Sequence, residues 1–289
     1  MASLKEVKGR ISTVNNTRKI TSAMKMVASA KLHKAQGAIT HMLPYEQRLQ
    51  GLLHHFLGDS TKVVSPYAVG REVKRVALVV FSSNSSLCGG FNANVIKQTT
   101  RLLEEYAYLG KENILVYPVG RKVAEALAKQ GYETQGDYQQ MADKPSFAEA
   151  MQLAQHLMDM YISGKVDKVE ILYHHFKSTA SQILTHEVYL PISISVEKTE
   201  ENSKEEIDYI LEPSREELLT MLLPKVLRMK LYTVLLDSNA SEHAARTMAM
   251  QIATDNADDL LQELTLMYNK TRQQAITNEL LDIVGGSMA

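Results

Sequence analysis

The sequence predicts an α/β domain joined to a long antiparallel coiled coil that is built from both ends of the chain. Three observations predict it. Both ends carry helical periodicity over spans far longer than an ordinary globular helix. The middle alternates strand-like and helix-like segments. Nothing repeats at the fixed period of a solenoid.

The first segment, residues 1–58, opens on Ser3 with Glu6 three residues later, the spacing of a capping box. Leu4, Val7, Ile11 and Val14, then Ile20, Met24 and Val27, follow in helical steps close to a heptad seam. The stripe blurs at Asn15-Asn16-Thr17-Arg18-Lys19, and Pro44 is expected to kink or briefly interrupt the helix. At 1.5 Å per residue the segment would span roughly 80 Å.

The middle, residues 73–194, has a different grammar. Val73–Ser83 reads as a buried strand, Asn94–Leu109 as a helix, Asn113–Val119 as a second strand, and Lys122–Gln130 as a helix that ends at Gly131. A third helix, Phe147–Ser163, has Ser146 as its expected cap. Val166–Phe176 and Gln182–Leu190 complete the strands. This order predicts a Rossmann-like domain with a mostly parallel sheet. Residues 195–212 form an acidic linker. The last segment, 213–289, starts with Ser214 and Glu217 as a second capping box. It then runs from Ser214 to Val284 without a glycine and with Pro224 as its one proline. A continuous helix there would reach roughly 105 Å. Isolated helices of such length need packing partners, and the economical solution pairs the two ends with each other.

Composition narrows the function. The 289 residues are 45% hydrophobic and 22% charged, with a net charge of −1, so nothing global points to nucleic acid. Tryptophan is absent, and Met (14) outnumbers Phe (5). That suits adaptable helix seams, or reflects drift. Residues 1–34 hold eight basic side chains (Lys5, Lys8, Arg10, Arg18, Lys19, Lys25, Lys31, Lys34) against Glu6, whereas residues 197–217 hold nine acids against three bases. Each run reads either as a solvated face or as a surface for a partner of opposite charge. With Cys88 alone, no intramolecular disulfide forms. The amino terminus has no apolar core of a signal peptide, and no stretch is long and apolar enough for a membrane helix, so membrane association is expected only through partners.

No self-contained active site emerges. Neither glycine-rich phosphate motif is present. The loop Ser82–Asn92 follows the first strand, where doubly wound sheets bind ligands. It has no lysine, and a tight structural turn is the favoured reading. Cys88 has no identifiable base. His54-His55 and His174-His175 are adjacent pairs whose side chains point apart on a helix or strand, which chelates one metal poorly. No catalytic residue, cofactor or metal site is assigned. Near the carboxyl end, Asp255–Asp259 and Asn269–Gln274 place polar residues on several faces of a helix, which argues against a fixed hydrophobic seam there. The terminal Gly285–Ala289 either frays or enters an apolar collar.

Three blocks carry a resemblance. Ile20–Lys31 (ITSAMKMVASAK), Ser241–Arg246 (SEHAAR) and Ile276–Asp282 (ITNELLD) with Gly286 resemble, in order, the signature blocks of the gamma-subunit family of F-type ATP synthases. Asn84 and Ser86 depart from the family's first-strand loop, which usually has an acid and a glycine there, and Ser287 departs from its terminal Gly-Ala. The resemblance implies the central rotor shaft, a non-catalytic subunit that couples proton flow through the c ring to ATP synthesis or hydrolysis. Implied partners are the alpha and beta subunits, the epsilon subunit and the c ring, with one copy of the chain per complex. The implied location is the cytoplasmic face of the bacterial inner membrane, peripherally. Met24, Lys25, Arg246, Arg272, Gln273, Thr277 and Glu279 match positions that touch the alpha/beta ring in relatives. The alternatives are a non-rotating coiled-coil scaffold and an enzyme using the middle domain.

Overall fold

The structure, a computed structural model, describes residues 3–58, 65–192 and 214–287. The expected acidic linker at 195–212 lies outside the described residues. The order is α1 (Leu4–Gly58), β1 (Val76–Phe81), α2 (Phe91–Glu105), β2 (Ile114–Val119), α3 (Arg121–Lys129), α4 (Gln139–Asp143), α5 (Phe147–Ile162), β3 (Lys168–Ser178), β4 (Ser181–Leu190) and α6 (Arg215–Ser287), with short 3-10 turns at Ala107–Leu109 and Lys111–Asn113. The chain divides into two compact units, Met1–Ala30 with Arg246–Ala289, and Lys31–Ala245.

The first unit is a two-helix seam. Val7, Thr21 and Ala28 on α1 and Met250, Ala257 and Leu264 on α6 are buried, at spacings that are multiples of seven. Ile11, Val14, Arg18 and Lys25 fill the intermediate positions of α1, and Thr254, Leu261, Tyr268 and Thr271 those of α6, all half-buried. Steps of three and four on both helices are the signature of coiled-coil packing. Register and direction are fixed by polar pairs. Arg18 Nη1 lies 2.8 Å from Asp258 Oδ1, Thr21 Oγ1 lies 2.9 Å from Thr254 Oγ1, and Lys25 Nζ donates to Gln251 Oε1 at 2.5 Å. As the first number rises the second falls, so the helices are antiparallel. Polar groups at seam positions specify register at some cost in stability.

The expected caps are largely present. Ser3 Oγ accepts from the Glu6 amide at 3.2 Å and Ser214 Oγ from the Glu217 amide at 3.3 Å. Ser146 differs. It stands at the start of α5 in an extended conformation, but its side chain makes no capping bond, and its carbonyl takes the Ala150 amide instead. Pro44 does not interrupt α1. Thr40 and Pro44 are both exposed, so the carbonyl that loses its donor faces water.

The second unit centres on a four-stranded sheet of order β2-β1-β3-β4, in which β2, β1 and β3 are parallel and β4 pairs antiparallel on β3. Every residue of β1 is buried. Alternation splits it between two cores: Val76, Leu78 and Val80 meet α2 and α3, while Ala77, Val79 and Phe81 meet α5 and α6. The α6 contribution, Leu223, Leu227, Leu231, Val234 and Leu235, makes this helix a wall of the α/β core. The 31–58 stretch of α1 sets Leu32 and Ala35 against Ala240 and Ala244, packs Leu52 and Leu53 around Leu219, and brings Leu53 to the edge of the main core.

One charged cluster lies within the sheet. Glu170 is 2% exposed, and its carboxylate is bonded by Tyr106 OH at 2.7 Å, Lys168 Nζ at 2.6 Å and His186 Nε2 at 2.9 Å. Burial alone would raise its pKa; the bonds from His186, Lys168 and Tyr106 outweigh burial and pull it down from 4.5 to about 2. A depressed carboxylate pKa gives stability that is complete above the unfolded value and is lost as pH falls through the folded one. Acid unfolding between pH 4.5 and about 2 should therefore remove roughly 2–4 kcal/mol in the parent but not in Glu170→Gln. Superimposable acid titrations of parent and variant would refute this coupling.

Candidate functional site

The loop after β1 is closed upon itself. Asn92 Oδ1 accepts the Ser83 amide at 3.1 Å, and Asn92 Nδ2 donates to Ser83 Oγ at 2.8 Å and Cys88 Sγ at 3.1 Å. Leu87 takes a left-handed conformation with φ 67. This is the structural turn that the sequence favoured. Cys88 is buried, and its sulfur meets Asn92 and Ser83. Asn84 uses both ends of its amide, with Nδ2 donating to Gln139 O at 2.7 Å and Oδ1 accepting the Arg121 amide at 2.9 Å. A carboxylate could not make the first of these bonds. The departure from the acid usual in the family thus matches its surroundings.

The histidine pair on β3 splits as strand geometry requires. His174 is buried and stacked on Phe91 at 4.3 Å, and burial pushes its pKa down to about 4. His175 faces the other way, with Nδ1 2.6 Å from Asp237 Oδ2. The side chains of His54 and His55 lie outside the described residues. No group of three or more metal-ligating side chains gathers among the described residues.

Two exposed surfaces remain, both on the long helices. On α1, Ile20, Met26 and Val27 are exposed, and Lys5, Lys8, Lys19, Lys31 and Lys34 are exposed without an ion pair among the described residues. On α6 the seam stops at Ala275; every described position from Ile276 onward is exposed, and the helix continues through Gly285 and Gly286 to Ser287. Ile276, Leu280 and Ile283, exposed by 47%, 57% and 67%, follow helical steps along one side of this end. Three such side chains in a row on a solvated helix form an amphipathic surface that folding of this chain leaves open.

The family model described as ATP synthase matches residues 3–289. An ATP synthase gamma chain of Phocaeicola vulgatus is 68% identical over 289 residues, covering 100% of both chains, and one of Bacteroides thetaiotaomicron is 61% identical over 297 residues, again covering 100% of both. The chain belongs to the ATP synthase gamma-chain family. A chain in the Euglena gracilis mitochondrial ATP synthase OSCP/F1/c-ring structure shares the fold, with TM-score 0.64 and 22% identity over 99% of this chain and 93% of that one. A chain of the Tetrahymena thermophila mitochondrial ATP synthase central stalk/c-ring gives TM-score 0.58 and 22% identity over 81% and 99%.

The residues that the gamma-chain resemblance singled out fall into two groups. Met24 and Lys25 are half-buried beside the α1–α6 seam, where Lys25 bonds Gln251. Arg246 is half-buried on α6. Arg272, Gln273, Thr277 and Glu279 are exposed on the carboxyl-terminal end, and the Thr277 hydroxyl donates to the Gln273 carbonyl at 2.9 Å. Residue spacing did not single out a third set, Asp237, Asn239 and Ser241. Asp237 Oδ1 accepts the Phe176 amide at 2.7 Å, Asn239 Nδ2 donates to Ala142 O at 2.8 Å, and Ser241 Oγ donates to His174 O at 2.9 Å. The available signal was a polar run, Asp237-Ser238-Asn239 with Ser241, directly after the apolar Val234-Leu235-Leu236.

Proposed function

We propose that the chain is the central rotor shaft of an F-type ATP synthase, carrying torque between a proton-driven c ring and a catalytic ring of alpha and beta subunits. The observation that carries the reading is the open end of α6. Beyond Ala275 the helix has no partner seam among the described residues, yet it presents Ile276, Leu280 and Ile283 along one side. A surrounding apolar collar would cover them, and the interspersed Arg272, Gln273, Thr277 and Glu279 would keep those contacts shallow enough to slide. The shaft supplies no catalytic group; ATP chemistry belongs to the surrounding subunits. Residues 1–58 and 213–289 form the shaft and 73–194 the body that meets the epsilon subunit and c ring, with 195–212 joining them. No described helix is long and apolar enough to cross a membrane. The chain is held on the cytoplasmic face of the bacterial inner membrane through these partners, one copy per complex.

Rotation changes the state of each beta subunit in turn only if the shaft interacts differently with open and closed forms. Co-expression with the alpha, beta and epsilon subunits tests assembly, and ATP-driven rotation of a probe on the body tests the role. Recovery of a stable complex whose shaft stays fixed during hydrolysis would favour the scaffold reading. The contact residues have their own test. The resemblance implies that the basic face of α1 meets an acidic loop of beta, and Met24→Lys adds a cation beside Lys25 on that face. It is expected to tighten that contact and lower proton pumping per ATP hydrolysed in assembled complexes. Unchanged pumping per ATP would remove Met24 from the contact surface.

A further inference from the structure

The apolar face that α6 lays on the sheet is wide but non-directional. By themselves Leu223, Leu227, Leu231, Val234 and Leu235 tolerate small sliding or rolling because burial is proportional to area and indifferent to angle. Single polar contacts, Tyr189 OH donating to the Leu227 carbonyl at 2.9 Å and Lys230 Nζ 3.0 Å from Glu187 Oε2, are scattered along this stretch. The next turn of the helix is different. Asp237 is 8% exposed, Asn239 9% and Ser241 0%, and each ends on a backbone group of the α/β body. Asp237 and Ser241, four residues apart, lie on the same side of α6 and hold alternate residues near the end of β3, through the Phe176 amide and the His174 carbonyl. His175, between them, brings Nδ1 to the second Asp237 oxygen. Asn239 sits on the opposite side of the helix and holds the carbonyl of Ala142 on α4. The body therefore grips one helix turn from two sides. Rotation in either sense, or a one-residue slide of about 1.5 Å, breaks all three bonds together and leaves buried donors and acceptors unpaired.

We propose that Asp237, Asn239 and Ser241 are positioning residues that lock the angular register of α6 on the α/β body, so that torque applied to one passes to the other without slip. This proposal rests on the rotor reading. Its test uses intact complexes carrying the parent chain, Asp237→Asn, Asn239→Ala or the combined Asp237→Ala/Asn239→Ala/Ser241→Ala variant. ATP hydrolysis and proton pumping are measured against a rising opposing proton gradient, and amide exchange at Phe176 is followed in the same complexes. The combined variant is expected to hydrolyse ATP with no gradient much as the parent does, to lose pumping at a lower opposing gradient, and to lose roughly tenfold or more of its Phe176 amide protection. Asp237→Asn keeps an acceptor for the Phe176 amide and is expected to retain most of the coupling. Lower thermal stability with parent-like pumping under load would reduce the three residues to ordinary structural bonds and overturn the proposal. If the combined variant does not assemble, Asn239→Ala alone decides: parent-like pumping under load together with parent-like exchange overturns it. Failure of the parent chain itself to join alpha and beta would instead overturn the rotor reading.

Discussion

Replacing Gly120 by alanine is expected to destabilise the α/β body by about 3–5 kcal/mol, enough to prevent soluble expression of a marginally stable domain. Gly120 joins β2 to α3 with φ 113 and ψ 147, a conformation essentially confined to glycine. Strain is the smaller part of the penalty. An added Cβ would lie 2.2 Å from the Ser82 carbonyl oxygen and 2.7 Å from its carbon. Both are backbone atoms that cannot swing away. The Ser82 amide donates to Val119 O at 2.8 Å, the Lys122 amide donates to Ser83 O at 3.1 Å, and the Val123 amide donates to Ser82 Oγ at 3.2 Å. Relieving the clash would part the carboxyl ends of β1 and β2. Gly131 provides the comparison. It also has positive φ, at 74, but an added Cβ would meet nothing nearer than Lys111 Nζ at 4.0 Å. Gly131→Ala should cost only the conformational penalty, about 1–2 kcal/mol. Thermal unfolding of the two variants beside the parent separates the terms. Equal losses would show that close approach at Gly120 carries no weight.

The same strand-to-helix junction shows what the sequence made legible. The continuous apolar run of β1 and the helix-forming run after Gly120 were readable because each is a local pattern. Boundaries moved where turns intervened. Helix α2 begins at Phe91 and not at Asn94, because Phe91 is a buried core residue following Gly89-Gly90 rather than the last residue of the loop. The expected strands at 166–176 and 182–190 appear as β3 and β4, and a short hairpin between them makes β4 antiparallel. Helix α4 was missed. Its five residues, Gln139–Asp143, offer less than two turns of periodicity, and it is anchored by Asn84 and Asn239, more than fifty residues away on either side. The blurred stripe at Asn15–Lys19 now has a cause. Arg18 occupies a seam position and pairs with Asp258 across the coiled coil. A partner 240 residues away leaves no trace in local periodicity.

The candidate surfaces were legible in part. Polar residues at Asp255–Asp259 and Asn269–Gln274 argued against a fixed seam there, yet Ala257 and Thr271 lie in the α1–α6 seam; α6 is exposed at every described position only beyond Ala275. The individual contact positions, from Met24 to Glu279, came from resemblance and not from spacing, since a surface residue awaiting another chain looks like any solvated residue. The Asp237–Ser241 turn escaped notice for a different reason. Its three polar side chains bond backbone atoms of β3 and α4, and backbone partners have no residue type to search for.

Proline at position 264 should separate the two strands of the coiled coil beyond it. Leu264 is 6% exposed, one of three α6 seam residues at seven-residue spacing, and the half-buried Tyr268 and Thr271 continue the seam after it. Proline there removes the amide that bonds the Leu260 carbonyl and sets its ring against that carbonyl, at about 3 kcal/mol or more. Loss of the buried leucine adds about 1.5–3 kcal/mol. The prolines already present show when the backbone effect is tolerated: Pro44 is exposed in α1, and Pro224 lies in α6 next to Leu223, which the α/β core holds in place. Leu264 lies in the two-helix unit, where its seam partner is α1. Leu266→Pro is the matched control, because Leu266 is 72% exposed and loses the same kind of backbone bond without the buried side chain. Leu264→Pro is expected to melt lower and to lose more helical signal than Leu266→Pro, the gap reporting the seam itself. Two indistinguishable variants would mean that burial along Met250, Ala257 and Leu264 contributes little to holding the helices together.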